Sequence, residues 1–220
     1  MRMTTTRQSS TAAKRLVAAK KIYEVHDHHH AAAILIQDFP DLFIEICDVL
    51  LTFRLSEEQI KKAGGNESEI PKTFATMLRP LGWEEKKLTA RMLVDDEEVS
   101  TDTHHVDFVK GKVAFDLEWN SKDQTFDRDL YAFRAFFDYG KIAVAVLVTR
   151  SDELEPYFSE LGEYVDKYGV KRKYKEKYGA STTHMGKLLP RLKAGRSGGC
   201  PVLTIGITRK QLEEYNAKSV

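Results

Sequence analysis

Three carboxylates in one short stretch, HHVDFVKGKVAFDLEW, invite a chemical reading: Asp107, then Asp116 nine residues on, then Glu118 two further. Residues two apart in a strand share a face, so Val113, Phe115, Leu117 and Trp119 point into a core while Asp116 and Glu118 lie side by side on the other face. A tight turn at Lys110–Gly111 makes a hairpin that returns Asp107 to that pair. Carboxylates gathered in this way repel, and burying them unpaired is costly, so they persist where a cation neutralises them. Oxygen ligands with room for water suit Mg²⁺, and the carbonyl of Leu117 offers a further oxygen between the two acids. Such an ion can generate hydroxide and stabilise charge on a phosphoryl oxygen, which is the chemistry of phosphodiester hydrolysis. The same spacing also fits an amphipathic hairpin with its acids in water. The residues alone leave both readings open.

The surrounding chain must supply elements that position these groups. KIYEVHD reads as a short strand, and HAAAILIQDFPDLFIEICDVLLTFRL as helix interrupted at Pro40, with Phe39, Leu42, Phe43, Ile46, Val49 and Leu50 on the buried face. SEEQIKKAGG predicts a short surface helix capped by Ser56 and closed by a glycine pair. IPKTFATMLRPLGW predicts a helix that opens near Pro71 and stops at Pro80–Gly82. LTARMLVDDEEV is strand-like and ends in an acidic loop, and the carboxylate hairpin follows. DRDLYAFRAFFDYG predicts an aromatic helix closed by Gly140, and KIAVAVLVTR a strand covered on both faces. DELEPYFSELGEYVDKYG reads as helix, followed by a basic loop, the strand CPVLTIGIT and a short helix, RKQLEEYNAK. The sum is α/β: a single domain with a mixed central β-sheet flanked by helices, over residues 22–220.

Composition excludes little but points one way. With 220 residues, 42% of them hydrophobic, the chain can bury one sizeable core and is not a disordered protein. No apolar run approaches the length of a membrane span. Cys47 and Cys200 both sit beside apolar residues and read as buried free thiols, which favours a cytoplasmic setting. Residues 1–21 are basic and rich in Ser and Thr, without the apolar segment of a secretory signal. They read as a flexible basic tail, with a transit segment as the alternative.

Beyond spacing, DFVKGKVAFDLEW resembles a run found in the BglII/BstYI-type restriction endonucleases of the PD-(D/E)xK nuclease superfamily: an Asp-Phe, a basic turn, an apolar strand and an acid-x-acid or amide pair. The likeness extends through YEVHDHHHAAAILIQDFPDLFIEICDVL, IPKTFATMLRPLGWEE and STTHMGKLLPRLKAGRSGGCPVLTIGIT, in the family's order. It implies a restriction-endonuclease-like core and a type II enzyme that hydrolyses both strands of a palindromic duplex as a homodimer. It further implies Mg²⁺, with Mn²⁺ as a substitute, and a GATC-centred site cut to leave 5′ overhangs. Asp107 and Asp116 would then be metal ligands. Glu118 would stand where the superfamily carries Lys, orienting or deprotonating the attacking water. Asp116 departs from close relatives, which have Glu there. A further acid or amide follows the Trp in related enzymes; Glu85 is its counterpart here, with Lys86 competing for the register. The helix from Asp127 to Tyr139 is a candidate subunit contact, core packing being the other reading.

DNA needs positive charge, and the near-neutral chain, of formal net charge +1, concentrates it between Asp166 and Arg196, from Lys167 through Lys193. Lys173 and Lys175 would hold phosphates. GASTTH follows directly and carries short polar groups suited to base edges, namely Ser181, Thr182 and Thr183, with Arg196 beyond. A solvated basic loop is the plainer alternative. HDHHH, residues 26–30, reads as a polar turn rather than a zinc clip, and His104 and His105 adjoin Asp107 with either structural or DNA-facing roles. Two rival functions remain: a nonspecific or structure-selective nuclease on the same core, and a catalytically degenerate DNA-binding protein.

Overall fold

The structure, a computed structural model, describes residues 2–62, 68–95, 97–166 and 168–212. Its centre is a six-stranded mixed sheet. The strands are β1 (Tyr23–His28), β2 (Glu84–Val94), β3 (Glu97–Lys110), β4 (Val113–Glu118), β5 (Val144–Arg150) and β8 (Val202–Ile207), ordered β1-β8-β5-β4-β3-β2. β4, β5 and β8 run parallel; β1 joins β8, and β3 joins β4 and β2, in antiparallel fashion. The parallel strands are buried along their whole length, as continuous Val/Ile/Leu runs require when helices cover both faces of a sheet.

Alternation along β4 divides the core in two. Val113, Phe115 and Leu117 pack into the larger cluster with α1 (Arg2–Ala19), α2 (Ala31–Asp38), α3 (Pro40–Thr52) and α5 (Glu69–Leu78). Ala114 faces the smaller cluster with α6 (Thr125–Asp138) and α9 (Met185–Lys193). The helix break falls where Pro40 demands it: Phe39 leaves helical geometry at φ −132° and Pro40 opens α3. α5 runs into a 3₁₀ turn that Gly82 closes at φ 86°. The β3–β4 turn is one residue later than expected, at Gly111–Lys112. Gly111 takes φ 57°, and a Cβ there would lie 3.3 Å from Leu42. Fully buried Trp83 donates its indole N–H to Glu45 at 2.9 Å, and Lys110 bonds the same carboxylate at 2.7 Å, which ties the hairpin to α3.

The short helix α4 (Glu57–Lys61) is held by a reciprocal cap. Ser56 Oγ accepts from Gln59 N–H, and Gln59 Oε1 accepts from Ser56 N–H, both at 3.1 Å. Ser56→Ala should cost about 1 kcal/mol, read as a lower denaturation midpoint with an unchanged denaturant slope. The glycine pair expected after this helix lies outside the described residues.

Two further expectations are corrected. Residues 2–19, expected as a flexible tail, form α1, which lies along α3 with Ala12, Leu16 and Ala19 buried. A stripe at i, i+4 and i+7 is what a packed helix requires. The segment after β5, expected as one long helix, becomes a 3₁₀ turn and the short α7 (Glu155–Glu160). A separate hairpin follows, β6 (Glu163–Val165) against β7 (Lys171–Lys173), and then the four-residue α8 (Tyr174–Lys177). Gly162 at φ 77° ends the helical run. The terminal RKQLEEYNAK begins with a 3₁₀ turn at Arg209–Gln211, and from residue 213 on it lies outside the described residues, as does Lys167. Both cysteines are buried free thiols, with burial pushing each up to about 12.

Candidate active site

Register places the three acids together at one end of β4. Phe108 pairs with Phe115 and Lys110 with Val113, so Asp107 lies directly opposite Asp116. The Asp107 backbone N–H donates to Asp116 Oδ1 at 3.3 Å. Across β3 the register slips: Glu84 pairs with Val109, but Lys86 pairs with Val106. Two residues of β3, Asp107 and Phe108, therefore stand against the single residue Glu85. Bulges of this kind bend a strand and re-aim side chains. Here Glu85 and Asp107 line a common cleft of about 470 Å³ with Glu118, Leu117, Trp119 and Asn120. Glu85, not Lys86, is the cleft residue, and its carboxylate meets His105 Nδ1 at 3.2 Å.

The acids differ in surroundings. Asp107 is exposed, whereas Asp116 and Glu118 are buried. Burial, then the neighbouring Asp107 and Asp129, pushes the Asp116 carboxyl well above the usual range. Glu118 is raised as well, chiefly by burial, against the opposing pull of Ser121 and Arg128. Its carbonyl fixes the end of β4 by accepting from Thr149 Oγ1 at 2.9 Å and from Thr183 Oγ1 at 3.4 Å. Among the described residues, no three His, Cys, Asp or Glu side chains are gathered closely enough to hold a metal ion. In kind, the donors suit a hard divalent cation: oxygen ligands only, from exposed Asp107 to buried Asp116, with surplus negative charge.

The segment 179–184 is pinned beside this end of the sheet. Thr183 N–H donates to Ser121 O at 2.8 Å, Asp123 N–H to Ser181 O at 2.9 Å, and Thr182 bridges Lys122. Ser181 is exposed and Thr182 half-buried, but Thr183 is fully buried. Its hydroxyl anchors the loop, which removes it from the base-reading set in this arrangement. Lys173 and Lys175 are exposed. Arg196 is engaged by Asp127 of α6, which also takes Arg191 at 3.0 Å. Part of the positive charge of this region is thus spent on holding α9 and the loop after it to α6. Lys177, whose ammonium bonds the carbonyls of Ile60 and Lys62, closes α4.

Two groups at the site escape sequence reasoning. Asn120 sits at φ 60° in the cleft wall with its Oδ1 buried and unpartnered. Asp129, on α6, is buried against Glu118, and its Oδ2 has no partner. The latter had a signal: Asp129 stands three residues after Phe126 and four before Phe133, on the apolar stripe of α6. Elsewhere, His29 and His30 are consecutive left-handed residues (φ 55° and 59°) that turn β1 into α2. His104 packs against Tyr131, ring centroids 4.9 Å apart. The aromatic face of α6 divides, with Phe126, Phe133 and Phe136 in the core and Tyr131 and Tyr139 exposed.

No helix among the described residues is long and apolar enough to cross a membrane. A family model described as restriction endonuclease BglII/BglIII matches residues 23–207, from the first residue of β1 to the last of β8. A search of curated proteins finds no match to the chain.

Proposed function

Because the chain belongs to the restriction endonuclease BglII/BglIII family and is a type II site-specific endonuclease, we propose that it cuts both strands of a palindromic, GATC-centred duplex with Mg²⁺, leaving 5′ overhangs. Asp107, Asp116 and the Leu117 carbonyl are the proposed cation ligands, with Glu85 as the fourth active-site residue. When bound, a divalent cation supplies an acidified water and charge stabilisation at the scissile phosphate. Glu118, at the cleft with its strand end fixed by Thr149 and Thr183, would orient the attacking water or take its proton. Lys173 and Lys175 contact backbone phosphates, while Ser181 and Thr182 face base edges. Arg196 joins them only by leaving Asp127. Two such chains, meeting through exposed Tyr131 of α6 and Tyr139 just beyond it, bring one site to each strand.

The observation that carries this reading is the bond from the N–H of Asp107, which stands at a bulge on the wall of a cleft, to buried Asp116, beside the pinned 179–184 loop. Digesting a plasmid of known sequence with the purified protein and Mg²⁺, then sequencing the ends, tests it. Discrete fragments with four-base 5′ overhangs at GATC-centred sites are expected. A smear of unrelated ends would favour a nonspecific nuclease, and bound but uncut DNA a degenerate binding protein.

A further inference from the structure

The acids at the end of β4 create a difficulty for the substrate: a DNA phosphate must approach a group of carboxylates, two of them buried. A cation of the chain itself stands at that point. Arg128, in the first turns of α6, places Nη2 3.6 Å from Glu118 Oε1. The same guanidinium bonds Asp129 Oδ1 through Nε at 3.2 Å and Nη2 at 3.1 Å. Asp129 is only 2% exposed, whereas the Arg128 side chain is 74% exposed. One edge of the guanidinium is thus held by a buried carboxylate and the rest stands open to solvent. Five N–H donors in a rigid fork suit a phosphate as well as a carboxylate. Burying Asp129 beside Glu118 is unfavourable unless a cation such as Arg128 offsets it, and its Oδ2 is left without a hydrogen-bond partner.

We propose that Arg128 meets the DNA backbone phosphate at the cleft beside Glu118, and that Asp129 is the positioning residue that holds it there. This rests on the nuclease reading above and adds to it a group from α6, an element outside the carboxylate hairpin. In the free protein the guanidinium offsets Glu118. On DNA it turns its open donors to a phosphoryl oxygen while Asp129 keeps its other edge. No loop need move, because both side chains rise from consecutive residues of one helix.

Single-turnover cleavage at saturating DNA and Mg²⁺ tests this, alongside binding to the cognate duplex in Ca²⁺ at several salt concentrations. Arg128→Ala is expected to slow cleavage about a hundredfold. It should also lower the slope of log affinity against log salt by about 0.9, the value for one lost phosphate contact. Arg128→Lys should restore the slope and only part of the rate, since a point charge replaces the fork. Asp129→Asn, of the same shape, should slow cleavage roughly tenfold without lowering Tm. A purely structural Asp129 predicts normal cleavage by this variant at any Tm. Should Asp129→Asn fail to fold, the two Arg128 variants decide alone. Wild-type rates and an unchanged salt slope in Arg128→Ala overturn the proposal. If the wild type cuts no duplex with Mg²⁺ or Mn²⁺, the nuclease reading has failed and takes this one with it.

Discussion

Asp116→Ala should lose cleavage at least about a thousandfold, roughly 4 kcal/mol at the barrier, while keeping the cognate duplex bound in Ca²⁺. The expectation follows from position. Asp116 sits near the end of β4, opposite Asp107, and is more deeply buried than Glu118 or Asp107. Little of the loss should come from folding. Ala leaves the Asp107 N–H without its long 3.3 Å acceptor, a penalty of about 1–3 kcal/mol, but it also removes a charge that burial disfavours. Asp116→Asn keeps an acceptor at that point and should be as inactive. Gel-shift titration and single-turnover rates on one labelled duplex separate the two effects. A variant that cuts at the wild-type rate removes Asp116 from the metal site.

Stability of the metal-free protein should fall as pH rises above the ordinary carboxylate range. Asp116 and Asp129 have folded-state pKa values raised well above those of the unfolded chain, by burial first and by neighbouring acids next. Between the unfolded value near 4 and the raised folded value, the folded protein holds protons that the unfolded chain has released. Unfolding then becomes easier as pH increases, by about 1.4 kcal/mol per pH unit for each such proton, or roughly 3–5 °C in Tm. Asp116→Asn should melt higher than wild type at pH 8 and converge with it near pH 4. Mg²⁺ at a hundredfold excess over its Kd should return about 2.7 kcal/mol to the wild type and far less to the variant. Calorimetry across pH 4–8, with and without Mg²⁺, reads all of these. A flat profile shared by both proteins, unmoved by Mg²⁺, would mean that burial does not raise Asp116 and that it holds no cation.

The features legible in the sequence were those carried by local rules. Pro40 breaks a helix wherever it stands, Gly82 and Gly140 end helices at positive φ, and the strands around Ala145 and Leu203 announce burial on both faces. Alternation alone divided Val113, Phe115 and Leu117 from Asp116 and Glu118, and the division holds. What was hidden depended on partners far away in the chain. The strands Glu163–Val165 and Lys171–Lys173 are too short for any period to register, so the sequence there reads as helix and loop. Thr183 looks like a base-reading hydroxyl until it is seen donating to the Glu118 carbonyl, 65 residues earlier. Arg128 looks like a helix-surface charge until β4 is laid beside it. The bulge that re-aims Asp107 is a mismatch between two strands, which neither strand shows alone.

α1 carries a practical consequence. Ala12, Leu16 and Ala19 close the same apolar layer that Phe43 and Ile46 fill from below, although the family match starts only at residue 23. Trimming the chain to its recognisable segment would strip the lid from that layer and leave an oily seam along α3, prone to clumping. A shortened version that comes out of the cell insoluble would therefore report a missing lid, and say nothing about the carboxylates across the sheet.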